Sequence, residues 1–80
     1  MTITLVMPHL ADTMEEGTIV AWLKAPGDLV ARGEEICEIE MEKATMPYES
    51  HVAGRLVRIL VEVGAAVAVG APIAELDPNG

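Results

Sequence analysis

What this chain has least of narrows it first. It holds one cysteine, Cys37, so no internal disulfide can staple it, and nothing points to a secreted scaffold held by bridges. Phenylalanine is absent, and Trp22 and Tyr48 are the only aromatics. A core must come from Val, Ile, Leu, Ala and Met, and it will be thin. Positive charge is scarce: five Lys and Arg stand against thirteen Asp and Glu, for a formal net charge of −8. A nucleic-acid binder needs a basic face to neutralise phosphate, and an anionic membrane surface asks for the same. Neither is expected as a partner. The acidic balance suits docking on basic proteins. The longest apolar run, VGAAVAVGAPIA, is too short and too rich in Gly and Pro to span a bilayer. No basic, Ser-rich presequence and no signal-type apolar region opens the chain. The expectation is a soluble cytoplasmic domain, either whole or cut from a longer protein.

What is present is ordered. Eighty residues fit one small domain, and that domain contains an internal repeat. Shifted by 37 positions, residues 17–40 lie over residues 54–77 with nine identities, among them Gly17/Gly54, Val20/Val57, Gly27/Gly64, Gly33/Gly70 and Ile36/Ile73. Chance would give roughly two. Two copies are too few for a solenoid, so two similar halves closing on one core is the expected use. Each half reads as β. TIVAWL and RLVRILV are β-branched and aliphatic runs. APGD and EVGA follow as turns. EICEIEM and PIAELD are strands again. In EICEIEM, Cys37, Ile39 and Met41 alternate with Glu38, Glu40 and Glu42, a period of two that predicts sulfurs inside and carboxylates in water. Turn signals every eight to twelve residues suit a small sandwich or barrel. No helical period is sustained; ADTMEEG is good for one turn at most.

Several groups could carry chemistry, and most have plainer readings. His9 and His51 lie far apart, and with a single cysteine there is no zinc pattern. Glu15-Glu16 and Glu34-Glu35 read as solvated turn acids. Ser50 lacks the glycines of a nucleophile elbow. The glycines near Gly64 and Gly70 lack the Lys-Ser/Thr ending and following helix of a phosphate loop. Met7, Met14, Met41 and Met46 read as core gap-fillers, and Cys37 as structural. Lys43 stands apart. It is one of two lysines, set in an acidic run between two strand-like segments. A solvated surface lysine is its plain reading. It is a poor catalytic base, because Glu40 and Glu42 favour its ammonium form. The repeat maps it onto position 80, so a two-fold axis would put its turn and the C-terminus at opposite ends.

MPHLADTMEEGTI (7–19) and EIEMEKATMPYESHVAG (38–54) closely resemble the lipoyl domains of 2-oxo acid dehydrogenase complexes. The likeness covers about residues 2–77, with 78–80 expected to begin a linker. It is most specific at Met7, Pro8, Met14, Glu15, Glu16 and Gly17, and at Glu42-Lys43-Ala44 with Gly54 downstream. The resemblance implies an all-β flattened barrel of two four-stranded antiparallel sheets with quasi-two-fold symmetry. It implies lipoic acid in amide linkage to Lys43 at a hairpin tip, with Met41, Glu42, Ala44, Glu15 and Gly17 as flanking recognition residues. The implied role is a non-catalytic carrier on a dihydrolipoamide acyltransferase (E2) chain. Its implied partners are a lipoate ligase or lipoyltransferase, a thiamin-diphosphate decarboxylase (E1), the E2 acyltransferase core and a dihydrolipoamide dehydrogenase (E3), with the isolated domain monomeric. The commoner lipoyl triplet has Asp where this chain has Glu42. The sister biotinyl domains use Met-Lys-Met, which the Glu42 and Ala44 flanks do not match. A biotin carrier of a carboxylase and an unmodified interaction module of the same fold are the alternatives. The acyl substrate is left open among pyruvate, branched-chain oxo acids and acetoin-type compounds.

Overall fold

The structure is a computed structural model, and it describes residues 1–42 and 44–80. Eight strands follow in order: β1 (Ile3–Val6), β2 (Glu16–Trp22), β3 (Leu29–Val30), β4 (Glu35–Met41), β5 (Ala44–Glu49), β6 (Gly54–Ile59), β7 (Ala66–Ala68) and β8 (Pro72–Asp77). They form two four-stranded antiparallel sheets, β1-β8-β6-β3 and β5-β4-β2-β7. Exchanging β1–β4 with β5–β8 turns one order into the other, which is the two-fold relation that the repeat predicts. No helix among the described residues is long and apolar enough to cross a membrane.

The halves match in detail. The β2–β4 pairing slips between Ile19 and Ala21, and the β6–β8 pairing slips between Leu56 and Arg58, 37 positions on. The Gly27 N–H donates to the Leu56 carbonyl, and the Gly64 N–H donates to the Ile19 carbonyl, both at 2.7 Å. Each glycine locks the turn after its own strand onto the other half. Gly27 and Gly64 hold φ of 97° and 93°, a left-handed turn conformation that suits a residue without Cβ. The strands β1 and β5 are also equivalent, though the shift there is 43: Ile3 pairs with Leu76 as Met46 pairs with Ile39.

The core lies between the sheets. Ile19 and Leu56, Ile36 and Ile73, Cys37 and Ala74, and Ile39 and Leu76 are symmetry mates, and all are fully buried. Leu5, Met7, Met14 and Tyr48 close it. The predicted alternation along β4 holds at Ile39 and Glu40 but fails at one end. Ile36 is buried beside Cys37, because the β4–β5 register shifts between Glu35 and Cys37 and turns two successive side chains inward. Burial pushes the Cys37 thiol up to about 12 and raises the Tyr48 phenol, with the neighbouring Cys37 adding to the latter. Of the four methionines read as core, Met7 and Met14 are buried and Met41 is half-buried. Met46 is exposed although it pairs with the buried Ile39, since β5 is an edge strand with no neighbour on its far side.

Candidate functional site

Strands β4 and β5 form a hairpin whose last pair is Met41 with Ala44, so two residues, 42 and 43, connect them. A two-residue connection favours a turn with positive φ at its first central position. Glu42 has φ of 42°, and it is the one described non-glycine residue with positive φ. Left-handed backbone is strained for a residue with a long side chain. Lys43, the expected attachment residue, lies outside the described residues. The other lysine, Lys24, is engaged elsewhere: its Nζ is 2.7 Å from Glu34 and donates to the Leu29 carbonyl at 3.2 Å. That ion pair, with the Ala31 N–H donating to the same carboxylate, holds Glu34 below the usual carboxylate range.

The loop from Met7 to Glu15 runs beside the hairpin. The Met14 N–H donates to the Ala11 carbonyl at 3.0 Å, which makes the single turn expected of ADTMEEG. The thioether of Met14 accepts the Leu10 N–H at 3.3 Å and pins the turn to the core. The Thr13 hydroxyl approaches a Glu42 carboxylate oxygen at 3.4 Å, linking loop to hairpin. Gly17 is buried, and a Cβ there would meet Ile39 Cγ2 at 2.7 Å and Met14 Cε at 2.9 Å, so only glycine lets Met14 settle over β2.

Between loop and hairpin lies a surface cleft of about 470 Å³, lined by Ala11, Thr13, Met14, Glu15, Glu16, Gly17, Thr18, Glu40, Met41, Glu42 and Ala44. All five residues expected to flank the attachment point, namely Met41, Glu42, Ala44, Glu15 and Gly17, fall in this one cleft. Thr13, Thr18 and Ala11 join them, and sequence reasoning did not single these out. Their signal was faint, because small polar and apolar loop residues have no chemistry of their own. His9, His51 and Ser50 do not line it. Ser50 is buried, and its hydroxyl donates to the Val52 carbonyl, a structural turn contact. No cluster of three metal-ligating side chains exists among the described residues.

The molecule is thus a flattened two-sheet sandwich with internal two-fold symmetry, with the Glu42-Lys43-Ala44 triplet of its sequence falling between β4 and β5. The chain belongs to the biotin/lipoyl family: the model described as Biotin_lipoyl, biotin-requiring enzyme, matches residues 3–76. Within it, the likeness is to lipoyl domains. The solution structure of the lipoyl domain of the 2-oxoglutarate dehydrogenase complex from Azotobacter vinelandii superposes with a TM-score of 0.78, at 29% identity, over 98% of this chain and 99% of that one. The pyruvate dehydrogenase E1 component subunit beta of Rhizobium meliloti is 44% identical over 100% of this chain and 18% of its own length. The dihydrolipoyllysine-residue acetyltransferase component of the pyruvate dehydrogenase complex of Rickettsia bellii is 44% identical over 100% of this chain and 19% of its own. The chain thus spans less than a fifth of these relatives. A long-chain acyl-CoA carboxylase also carries the fold, with a TM-score of 0.80 at 23% identity over 99% of this chain and 7% of that one.

Proposed function

We propose that this domain carries lipoate in amide linkage on Lys43 and presents it in turn to the E1, E2 and E3 active sites of a 2-oxo acid dehydrogenase complex. The observation that carries the reading is the register of the β4–β5 hairpin. It pairs Met41 with Ala44 and leaves the Glu42-Lys43 step as the whole connection between two rigid strands. The residues present fit such a group. The residue before Lys43 is Glu42 and the one after is Ala44, where biotinyl domains have methionines, and the loop and Gly17 frame the hairpin without filling the space beside it.

When bound, the dithiolane supplies a disulfide that accepts an acyl group with two electrons and later returns both. The chain's own residues do something simpler. The core fixes β4 and β5, the strained Glu42 turn sets the direction in which the chain leaves β4, and the Met14 turn braces the hairpin's flank. A tethered carrier raises the effective concentration of its cargo at each partner site, and that gain needs a rigid attachment point on a flexible tether. The host is read as an E2-type acyltransferase chain, in keeping with the acetyltransferase relatives, and the domain as a carrier with no catalysis of its own. Modification would come from a lipoate ligase or lipoyltransferase. The acids around the cleft would face basic surfaces of the partner enzymes.

Intact mass after co-expression with a lipoate ligase, and separately with a biotin ligase, tests this. The expected result is one lipoyl increment, absent from Lys43→Ala and gaining two hydrogens on reduction. A biotin increment instead would move the domain to the carboxylases, and no increment with either would sink the carrier reading.

A further inference from the structure

The two-fold symmetry is broken in one place, and the break is next to the attachment point. Ten residues, 7–16, join β1 to the β2 core position Gly17, whereas four, 50–53, join β5 to its mate Gly54. The longer connection includes Ala11, Thr13, Met14 and Glu15, which form one wall of the cleft; Glu42 and Ala44, the chain neighbours of Lys43, form the opposite wall. The geometry points to a resting site: the cleft receives the lipoyl arm of the same domain, seating the neutral dithiolane against Met14 and Met41 between transfers. This rests on lipoylation of Lys43.

Three properties of the cleft select that occupant. Its volume of about 470 Å³ lies in the range of about 300–1,000 Å³ common to small-molecule sites. Its apolar surface includes two thioethers, which are polarizable and adapt to an irregular, sulfur-bearing guest. Its rim carries Glu15, Glu16, Glu40 and Glu42, which repel carboxylates and phosphates and so disfavour free lipoate or coenzyme A. An amide-linked lipoyl group has no charge and meets no such penalty. Both chain neighbours of Lys43, Glu42 and Ala44, line the cleft, so the cleft adjoins the attachment point in sequence. Docking of this kind withdraws the disulfide from solution reductants and is reversed when a partner enzyme offers a better site.

The test compares lipoylated and unmodified protein, each verified by intact mass, with ¹³C-methyl-labelled methionine and ¹⁵N-labelled backbone. Met14 and Met41 report on the cleft, and Met1 and Met46 serve as internal controls outside it. The expected result is a shift of the Met14 and Met41 methyl signals on lipoylation. Amide shifts should appear at Ala11, Gly17 and Thr18, with Met1 and Met46 unmoved. Cross-relaxation between dithiolane protons and the Met14 methyl should accompany them. Lipoylated protein whose changes stop at residues 41–45, with Met14, Ala11, Gly17 and Thr18 unmoved, overturns the resting site and leaves the carrier function intact. Failure to lipoylate at all overturns the function, and the resting site with it.

Discussion

At the scale of single residues, two side chains are held in states they would not adopt alone. Cys37 is fully buried, and its thiol is pushed up to about 12 from an ordinary 9.0. Between those values the unfolded chain has released its proton and the folded one has not. Folding therefore binds more protons there, and stability falls as pH rises from about 9 toward 12. Tyr48, raised in the same direction, steepens the fall. Urea midpoints between pH 7 and 11 should decline above pH 9, with a shallower decline in Cys37→Ala, the residue already present at the symmetry mate Ala74. An unchanged slope in that variant would reject the assignment. Glu42 is the second case. Its left-handed backbone costs about 1–2 kcal/mol in an ordinary residue and less in asparagine. Glu42→Asn should therefore raise stability by roughly 0.5–1 kcal/mol in urea unfolding, while lipoylation, scored separately by mass, falls or slows. A stability loss would mean that the Thr13 contact outweighs the strain.

At the scale of elements, glycines decide how closely strands approach. A Cβ at Gly54 would run into the Asp77 carbonyl oxygen and the Leu76 side chain. The first of these is backbone of the adjacent β8 and cannot rotate away. A Cβ at the symmetry mate Gly17 would meet only side chains, Ile39 and the flexible end of Met14 first. Equivalent positions thus carry unequal penalties. Gly54→Ala should cost about 3 kcal/mol or more and Gly17→Ala about 1–2 kcal/mol, following the usual cost of overpacking, read as a difference in urea midpoints. Equal losses would show that Met14 is as immovable as backbone. The strands were legible where they repeat. EICEIEM and PIAELD coincide with β4 and β8 residue for residue, because each sends the same three positions, Ile36, Cys37 and Ile39 or Ile73, Ala74 and Leu76, into the core. LVARGEE and AVAVGAP yielded only the short β3 and β7, since Gly33 and Gly70, at φ of 87° and 89°, turn the chain away early. The equivalence of β1 and β5 was not legible. The six-residue excess before Gly17 moves its offset from 37 to 43, and β5 as an edge strand keeps few apolar matches.

At the scale of the whole molecule, charge is unevenly spread. The cleft by the hairpin gathers four glutamates. Lys24 and Arg55 sit toward the other end, where Lys24, Glu34, Ala53, Gly54 and Gly80 line a second cleft and Arg55 donates to the Gly27 carbonyl at 2.6 Å. The seven residues of β4 separate the two clefts by roughly 20 Å. An acidic end of this kind orients approach to a basic surface. If the partners present one, Glu15→Lys should lower kcat/KM for reductive acylation by E1 about tenfold at low salt, and the difference should shrink once salt shortens the screening length to about 3 Å near 1 M. Insensitivity to both charge and salt would separate docking from the acidic end. This gathering was only half legible. The acids of β4 alternate visibly in the chain, but Glu15 and Glu16 join them only because β2 pairs antiparallel with β4 in the register that sets Thr18 opposite Glu40.

The seclusion of Cys37 bears on the traffic of electrons. At neutral pH a thiol near 12 is ionised in only about one molecule in 10⁵, and the thiolate is the attacking species. Any exposed thiol on a domain bearing a cyclic disulfide would sit within reach of its own cargo and could divert it into a dead-end mixed disulfide. Here the one cysteine of the sequence is insulated inside the sandwich, between Tyr48 and Trp22 of the adjoining strands. With lipoate on Lys43, as proposed, this seclusion would keep the arm's disulfide from being captured by the domain's own thiol, and the domain would not short-circuit itself.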